Sequence, residues 1–189
     1  MIAGILLAAG AARRFGSQKL LTLVGSVPLV RRTAEQLRST SLDEIIVVLG
    51  SEAAAVGAAL AGLDVRMVTN AAYAAGMSTS LRAGLAALSP DTDAVLVALA
   101  DQPGVGADIV DRLLDRYRAH RALIVAPVYR GGVRGNPVLF DRALFDELRS
   151  IGGDEGGRSV IARDPERVVL VDFGTEMPGD IDVPGDLQS

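Results

Sequence analysis

Three short stretches hold the residues able to do chemistry. The first, Ala8 to Lys19, reads AAGAARRFGSQK and follows the apolar run MIAGILL. It sets Gly10 and Gly16 beside Arg13, Arg14 and Lys19. Glycines let a backbone approach a ligand closely. Arginine can then hold phosphate through a planar fork and lysine through a point charge. The stretch fits a phosphate or a nucleotide, and it also fits a solvated cationic turn. It has neither the spacing and GK[ST] ending of a Walker A loop nor the GxGxxG of a dinucleotide fold.

The second stretch, Asp101-Gln102-Pro103, follows the apolar run AVLVALA. A carboxylate at the end of a buried strand costs free energy unless something compensates it. Magnesium is a natural partner, because it takes one or two carboxylates together with phosphate oxygens and waters. A turn or helix N-cap aspartate is the plainer reading. The third stretch is Asp180-Ile181-Asp182. Its carboxylates stand two apart and would share one face of an extended segment. Either could complete a metal site with Asp101, and a solvated acidic tail is the alternative. Cations and paired carboxylates on three loops together describe a nucleoside triphosphate held by Mg²⁺ and basic residues. The lone His120 ends a helical pattern and is read as structural.

These loops need strands to place them. Strands are expected at Ile2–Ala8, Glu44–Leu49, Leu63–Val68, Ala94–Ala98, Ala122–Pro127 and Arg167–Val171. Helices are expected at Pro28–Ser39, with Pro28 at its start, and at Ser51–Ala61, capped by Ser51. Further helices are expected at Ser78–Leu88, Ala107–His120, Arg142–Arg149 and Arg158–Ala162. VYRGGVRGNPVLF reads as a hairpin or loop, and GGDEGG as a turn. Continuous apolar strands with helices between them predict an α/β fold, a mostly parallel sheet covered on both faces. Ligands of such sheets bind beyond the carboxyl ends of the strands, where all three stretches are expected to leave. One domain over 1–189 is expected, with 128–165 as a lid or acceptor-side subregion.

Composition narrows the function classes. The net charge of −4 argues against a nucleic-acid partner. Locally clustered cations point instead to a small anion in a pocket. With no cysteine, disulfides, zinc ribbons and thiol nucleophiles are excluded. The opening apolar run is too short for a membrane span and lacks the basic flank of a signal peptide. A soluble, cytoplasmic protein without membrane contact is expected.

LAAGAARRFGSQKLL resembles the LAAGxxxRxGxxK signature of nucleotidyltransferases with a Rossmann-like, GT-A-like fold. Further matches are GMSTSLRAGL (76–85), ADQP (100–103), RGNPVLF (134–140), GDEGGR (153–158) and DIDVPGDL (180–187). The ordered set resembles the molybdenum cofactor cytidylyltransferase group of the MobA-like NTP transferase family. The resemblance implies that CTP and the molybdopterin-bound molybdenum cofactor give a cytosine dinucleotide cofactor and pyrophosphate, with Mg²⁺ or Mn²⁺. It implies nucleotide contacts from Leu7, Ala8, Ala9, Gly10, Gly76, Ser78 and Ser80. Arg14 and Lys19 would hold the triphosphate and, with Asp101, form the catalytic set. Asp101 and Asp182 would hold the metal. Gln102, Asn136, Pro137, Gly153, Asp154 and Arg158 would face the pterin. Two positions depart from the family's DxDTPEDL ending, Val183 for Thr and Gly185 for Glu.

Guanylyl relatives commonly carry LAGG where this chain has Leu7-Ala8-Ala9-Gly10, so a methyl at Ala9 is expected to favour a pyrimidine, by about 1–3 kcal/mol. Alternatives are a guanylyltransferase or a sugar- or alditol-phosphate nucleotidyltransferase of the same fold. From another class comes a non-catalytic chaperone that carries the cofactor to a molybdenum hydroxylase as transient partner.

Overall fold

The computed structural model describes residues 1–10 and 19–179. Along the chain lie strands β1 (Ile2–Ala8), β2 (Leu23–Val24) and β3 (Val27–Pro28), then helix α1 (Leu29–Arg38). Next come β4 (Glu44–Leu49), α2 (Ala53–Ala59), β5 (Arg66–Thr69), α3 (Met77–Ala86), β6 (Ala94–Leu99) and α4 (Ala107–His120). The remainder is β7 (Ile124–Tyr129), β8 (Val133–Arg134), β9 (Val138–Asp141), α5 (Phe145–Ser150), α6 (Arg158–Arg163) and β10 (Val168–Asp172). The main sheet runs β10-β7-β9-β6-β1-β4-β5, with β8 paired to β7. β2 and β3 form a separate hairpin.

The burial of β1 explains its central place. All seven residues of IAGILLA are buried, as a strand covered on both faces requires. It pairs in parallel with β4 on one side and β6 on the other. Its alternate residues divide between two cores. Leu6 and Ala8 join the apolar faces of α1, α2 and α4. Ile5, Leu7 and Ala9 join α3, α5 and α6. Gly84 lets α3 lie close on the sheet, because a Cβ there would stand 2.8 Å from Cγ2 of Ile5.

The fold is the mostly parallel α/β arrangement expected, with three local corrections. First, the glycine-dense segment after Pro127 is not only a hairpin. β7 extends to Tyr129, β8 folds back on it, and β9 enters between β6 and β7 as an antiparallel strand. VLFD earns that interior position because Val138, Leu139 and Phe140 are all buried. Second, Ser51 does not cap α2. The N-cap is Glu52 in a left-handed conformation (φ 52°), without a side-chain cap. The Ser51 amide instead donates to the Ala9 carbonyl at 3.4 Å. Third, several ends shift. β5 begins at Arg66, because the Leu63 and Val65 amides are taken up by turn bonds to the Leu60 and Leu63 carbonyls. α5 begins at Phe145, after a 3₁₀ turn whose Ala143 amide donates to Asp141 Oδ1.

Candidate active site

β1, β4, β5, β6, β7 and β10 run in one direction, so their carboxyl ends share one edge of the sheet. β9 runs the other way and begins at that edge, with Val138 opposite Val97. The ends of β1, β5 and β6 and the Asn136-Pro137 approach to β9 therefore lie along one edge of the sheet.

At the end of β1, Leu7, Ala8 and Ala9 are buried and Gly10 is exposed. The Ala9 methyl points into packing, not outward. A Cβ on Gly50 would lie 2.6 Å from the Ala9 carbonyl oxygen, 2.7 Å from its Cβ and 2.8 Å from Cβ of Tyr73. Gly50 is thus the residue that lets the β4 end and the Tyr73 turn close on Ala9.

Lys19 opens a 3₁₀ turn, Lys19–Leu21, whose Leu20 is buried. Its Nζ donates to Asp101 Oδ2 at 2.9 Å. Their side chains are 13% and 33% exposed, so the pair is partly buried and only partly screened. Asp101 follows Ala100, which is fixed from both sides. The Ala100 amide donates to the Leu7 carbonyl at 3.1 Å. The Ala100 carbonyl lies 3.1 Å from Thr33 Oγ1, whose single proton is shared with the Leu29 carbonyl at the same distance. Thr33 is buried on α1. Gln102 is buried beside them.

The start of α3 reaches the same rim. Gly76 takes φ +116°. Ser78 is 1% exposed, and its hydroxyl has no hydrogen-bond partner among the described residues. The Ser80 hydroxyl accepts from Asn70 Nδ2 at 3.0 Å. Asn70 also donates to Thr79 Oγ1 at 2.8 Å and accepts from the Ala72 amide at 2.9 Å. One buried amide thus ties the end of β5 to the first turn of α3.

On the β7–β9 side, Pro137 is buried and the Asn136–Pro137 peptide is cis. The Tyr129 hydroxyl donates to the Asn136 carbonyl at 3.3 Å. Gly153, Asp154 and Arg158 are exposed. Asp154 Oδ1 accepts from the Met77 amide at 3.2 Å, and the Gly153 carbonyl accepts from the Ser78 amide at 3.2 Å. Residues 173–178 return along this rim. The Arg130 amide donates to the Thr175 carbonyl at 2.8 Å, and a Cβ on Gly104 would lie 2.8 Å from Cβ of Pro178.

The structure therefore sets Leu7 to Gly10, Lys19, Asp101, Gln102, Gly76 to Ser80, Asn136-Pro137 and the Gly153–Arg158 loop along one edge of the sheet, with direct contacts between Lys19 and Asp101 and between Gly153-Asp154 and Met77-Ser78. Arg13, Arg14, Asp180 and Asp182 lie outside the described residues. Among the described residues no three His, Cys, Asp or Glu side chains converge. A cavity of about 350 Å³ at the opposite edge, lined by Leu85, Thr92, Arg142 and Phe145 among others, contains none of the site residues. Thr33, Asn70 and Gly50 escaped sequence reading. Thr33 sits in an ordinary amphipathic helix, and Asn70 and Gly50 follow strands without a motif of their own.

An acid after β6, Lys19 paired to it and the glycine-bearing start of α3 stand at one edge of the sheet. Residues 4–168 match the family described as MobA-like NTP transferase domain. The chain belongs to that family. It is a nucleotidyltransferase by family and fold. It is 36% identical over 188 residues to nicotine blue oxidoreductase of Paenarthrobacter nicotinovorans, covering 95% of this chain and 90% of that protein. Rv0371c of Mycobacterium tuberculosis superposes with a TM-score of 0.87 at 31% identity, covering 100% of this chain and 98% of that one. Rv0371c has also been solved in complex with manganese, with a TM-score of 0.80 at 30% identity over 99% of this chain and 96% of that one. A nucleotidyl transferase of Methanothermobacter superposes with a TM-score of 0.82 at 26% identity, covering 100% of this chain and 94% of that one. Among the described residues no helix is long and apolar enough to cross a membrane.

Proposed function

We propose that this nucleotidyltransferase moves CMP from CTP to the terminal phosphate of a molybdopterin-bound molybdenum cofactor. A phosphate oxygen of the acceptor attacks the α-phosphorus, the α–β bridging bond breaks, and pyrophosphate leaves. The observation that carries this reading is the Lys19–Asp101 pair, on the same rim as both the Gly76–Ser80 turn and the Asn136-Pro137 approach. A phosphate monoester acceptor needs little help from a base near neutral pH, so catalysis is positioning and charge neutralisation. Lys19 would neutralise charge on the leaving pyrophosphate, with Arg14 from the same loop. Leu7 to Gly10 and the Gly76–Ser80 turn would seat the nucleotide. For Ser80 the contact would be through backbone, since its hydroxyl is held by Asn70. The Ala9 methyl is packed against Gly50, so its influence on base choice would act through where it sets the backbone of residues 9 and 10.

Asp101 suits a hard divalent cation. It is an oxygen donor at a strand end, one-third exposed, and such ions take one or two carboxylates together with phosphate oxygens and water. Asp101, with Asp182 or Asp180, would hold Mg²⁺ or Mn²⁺, which when bound polarises the phosphate oxygens as a Lewis acid. Gln102, Asn136, Pro137, Gly153 and Arg158, from the rim and the 128–165 subregion, would face the acceptor.

The test is a pyrophosphate-release screen of all four nucleoside triphosphates with Mg²⁺, with and without molybdenum cofactor. Release with CTP only when the cofactor is present is expected. Equal release with GTP would refute the base assignment. Release with a sugar phosphate but not with the cofactor would refute the acceptor.

A further inference from the structure

α3 begins without a cap of its own. Gly76 precedes it, and no side chain of its own first turn accepts from its free amides. A helix start leaves several N–H groups in need of acceptors and favours nearby negative charge. Here the acceptors arrive from a loop far along the chain. The Gly153 carbonyl takes the Ser78 amide and Asp154 Oδ1 takes the Met77 amide, each at 3.2 Å. A third tie lies one turn on, where Arg82 Nη1 donates to the Ile151 carbonyl at 2.7 Å. The backbones interlock as well. A Cβ on Gly76 would fall 2.4 Å from the Gly153 carbonyl oxygen, so only glycine permits this approach.

We infer that Asp154 is a positioning residue. Its carboxylate caps α3 and so locks the acceptor-side loop (152–157) to the turn that seats the nucleotide. This rests on the reading of Gly76–Ser80 as the nucleotide side. It gives Asp154 a different task from the contact with the acceptor that family resemblance implies, because its Oδ1 faces the helix start. One consequence is coupling: displacement of the 152–157 loop moves the first turn of α3 with it.

The experiment compares Asp154→Ala and Asp154→Asn with the unaltered chain. Mg-CTP affinity is measured by calorimetry without acceptor, together with amide hydrogen exchange at Met77 and Ser78 and the KM for the molybdenum cofactor in pyrophosphate release. Asn keeps an oxygen acceptor at the same place, whereas Ala removes it. Asp154→Ala should weaken Mg-CTP binding about fivefold, the size of a lost helix cap, and speed exchange at Met77. Asp154→Asn should restore most of both. Unchanged Mg-CTP affinity in Asp154→Ala would overturn the proposal, leaving the cap merely structural. So would equal loss in both variants confined to the KM for the molybdenum cofactor, which would place the carboxylate on the acceptor. If the unaltered chain bound none of the four nucleotides, the reading of the site itself would fall. If it bound one other than CTP, the same comparison with that nucleotide decides the question.

Discussion

Asp101→Asn separates the ion pair with Lys19 from the metal-holding role proposed for this carboxylate. Asn keeps the shape and can still accept from Lys19, but it removes the charge. The pair is 2.9 Å long with partners 13% and 33% exposed. Fully exposed pairs contribute about 0–1 kcal/mol, and hydrogen bonds to charged groups about 1.5–3 kcal/mol. With one partner a third exposed, screening puts this pair near the bottom of the second range, and Asn retains part of it. The stability loss should be about 1 kcal/mol, a fall in Tm of about 3 °C for a chain of this size. The catalytic loss should be far larger. A group that holds a metal against developing phosphate charge supplies several kcal/mol, so kcat/KM should fall by about 10²–10³-fold. The assay is pyrophosphate release under saturating metal, run beside thermal unfolding of the same preparation. A variant that keeps its rate within about fivefold while losing those few degrees would refute the argument. Asp101 would then be no more than the counter-ion of Lys19.

Other expectations concern the supports of the site. Thr33→Val removes the hydroxyl that holds the Ala100 carbonyl. It should cost about 1 kcal/mol of stability and raise the metal concentration needed for half-maximal rate, while Thr33→Ser restores both. A metal titration unchanged in Thr33→Val would show that Ala100 holds Asp101 without it. Gly50→Ala forces a Cβ to 2.6 Å from the Ala9 carbonyl oxygen. That overpacking should cost about 2 kcal/mol, and a melt within 1 °C of the unaltered chain would contradict it. Burial, with the hydrogen bond donated to Asp141, pushes the Tyr117 hydroxyl up to about 12, and burial does the same for Tyr129. A pKa raised on folding adds stability that is complete below the unfolded value near 10 and lost as pH rises through 12. Denaturant midpoints should therefore fall between pH 10 and 12, and Tyr117→Phe should flatten that fall.

What the sequence made legible follows the length and purity of its apolar runs. β1, β4 and β6 are unbroken stretches of small aliphatic residues, so their parallel, doubly covered state could be read directly, and with it the rim where Asp101 stands. β9 could not be read this way. Its four residues follow a run of glycines, and what makes VLFD an interior strand is the gap between β6 and β7, which exists only once the sheet is assembled. The cap of α3 was hidden for a related reason: Met77 and Asp154 are 77 residues apart, and nothing local marks either as the partner of the other. Thr33 reads as one more helix residue until α1 is laid across the end of β6. Ala9 is the instructive case, because its placement was available from parity. Ile5 and Leu7 face the α3 side of the sheet, and two residues on Ala9 must face it too. Its methyl belongs to the core, where Gly50 and Tyr73 close over it. Any preference for a pyrimidine at this position is then a matter of where the Ala9–Gly10 backbone is set. On that argument Gly50→Ala, which presses on the same methyl from the other side, should shift the CTP-to-GTP ratio as well as the melt, and an unchanged ratio would detach base choice from Ala9.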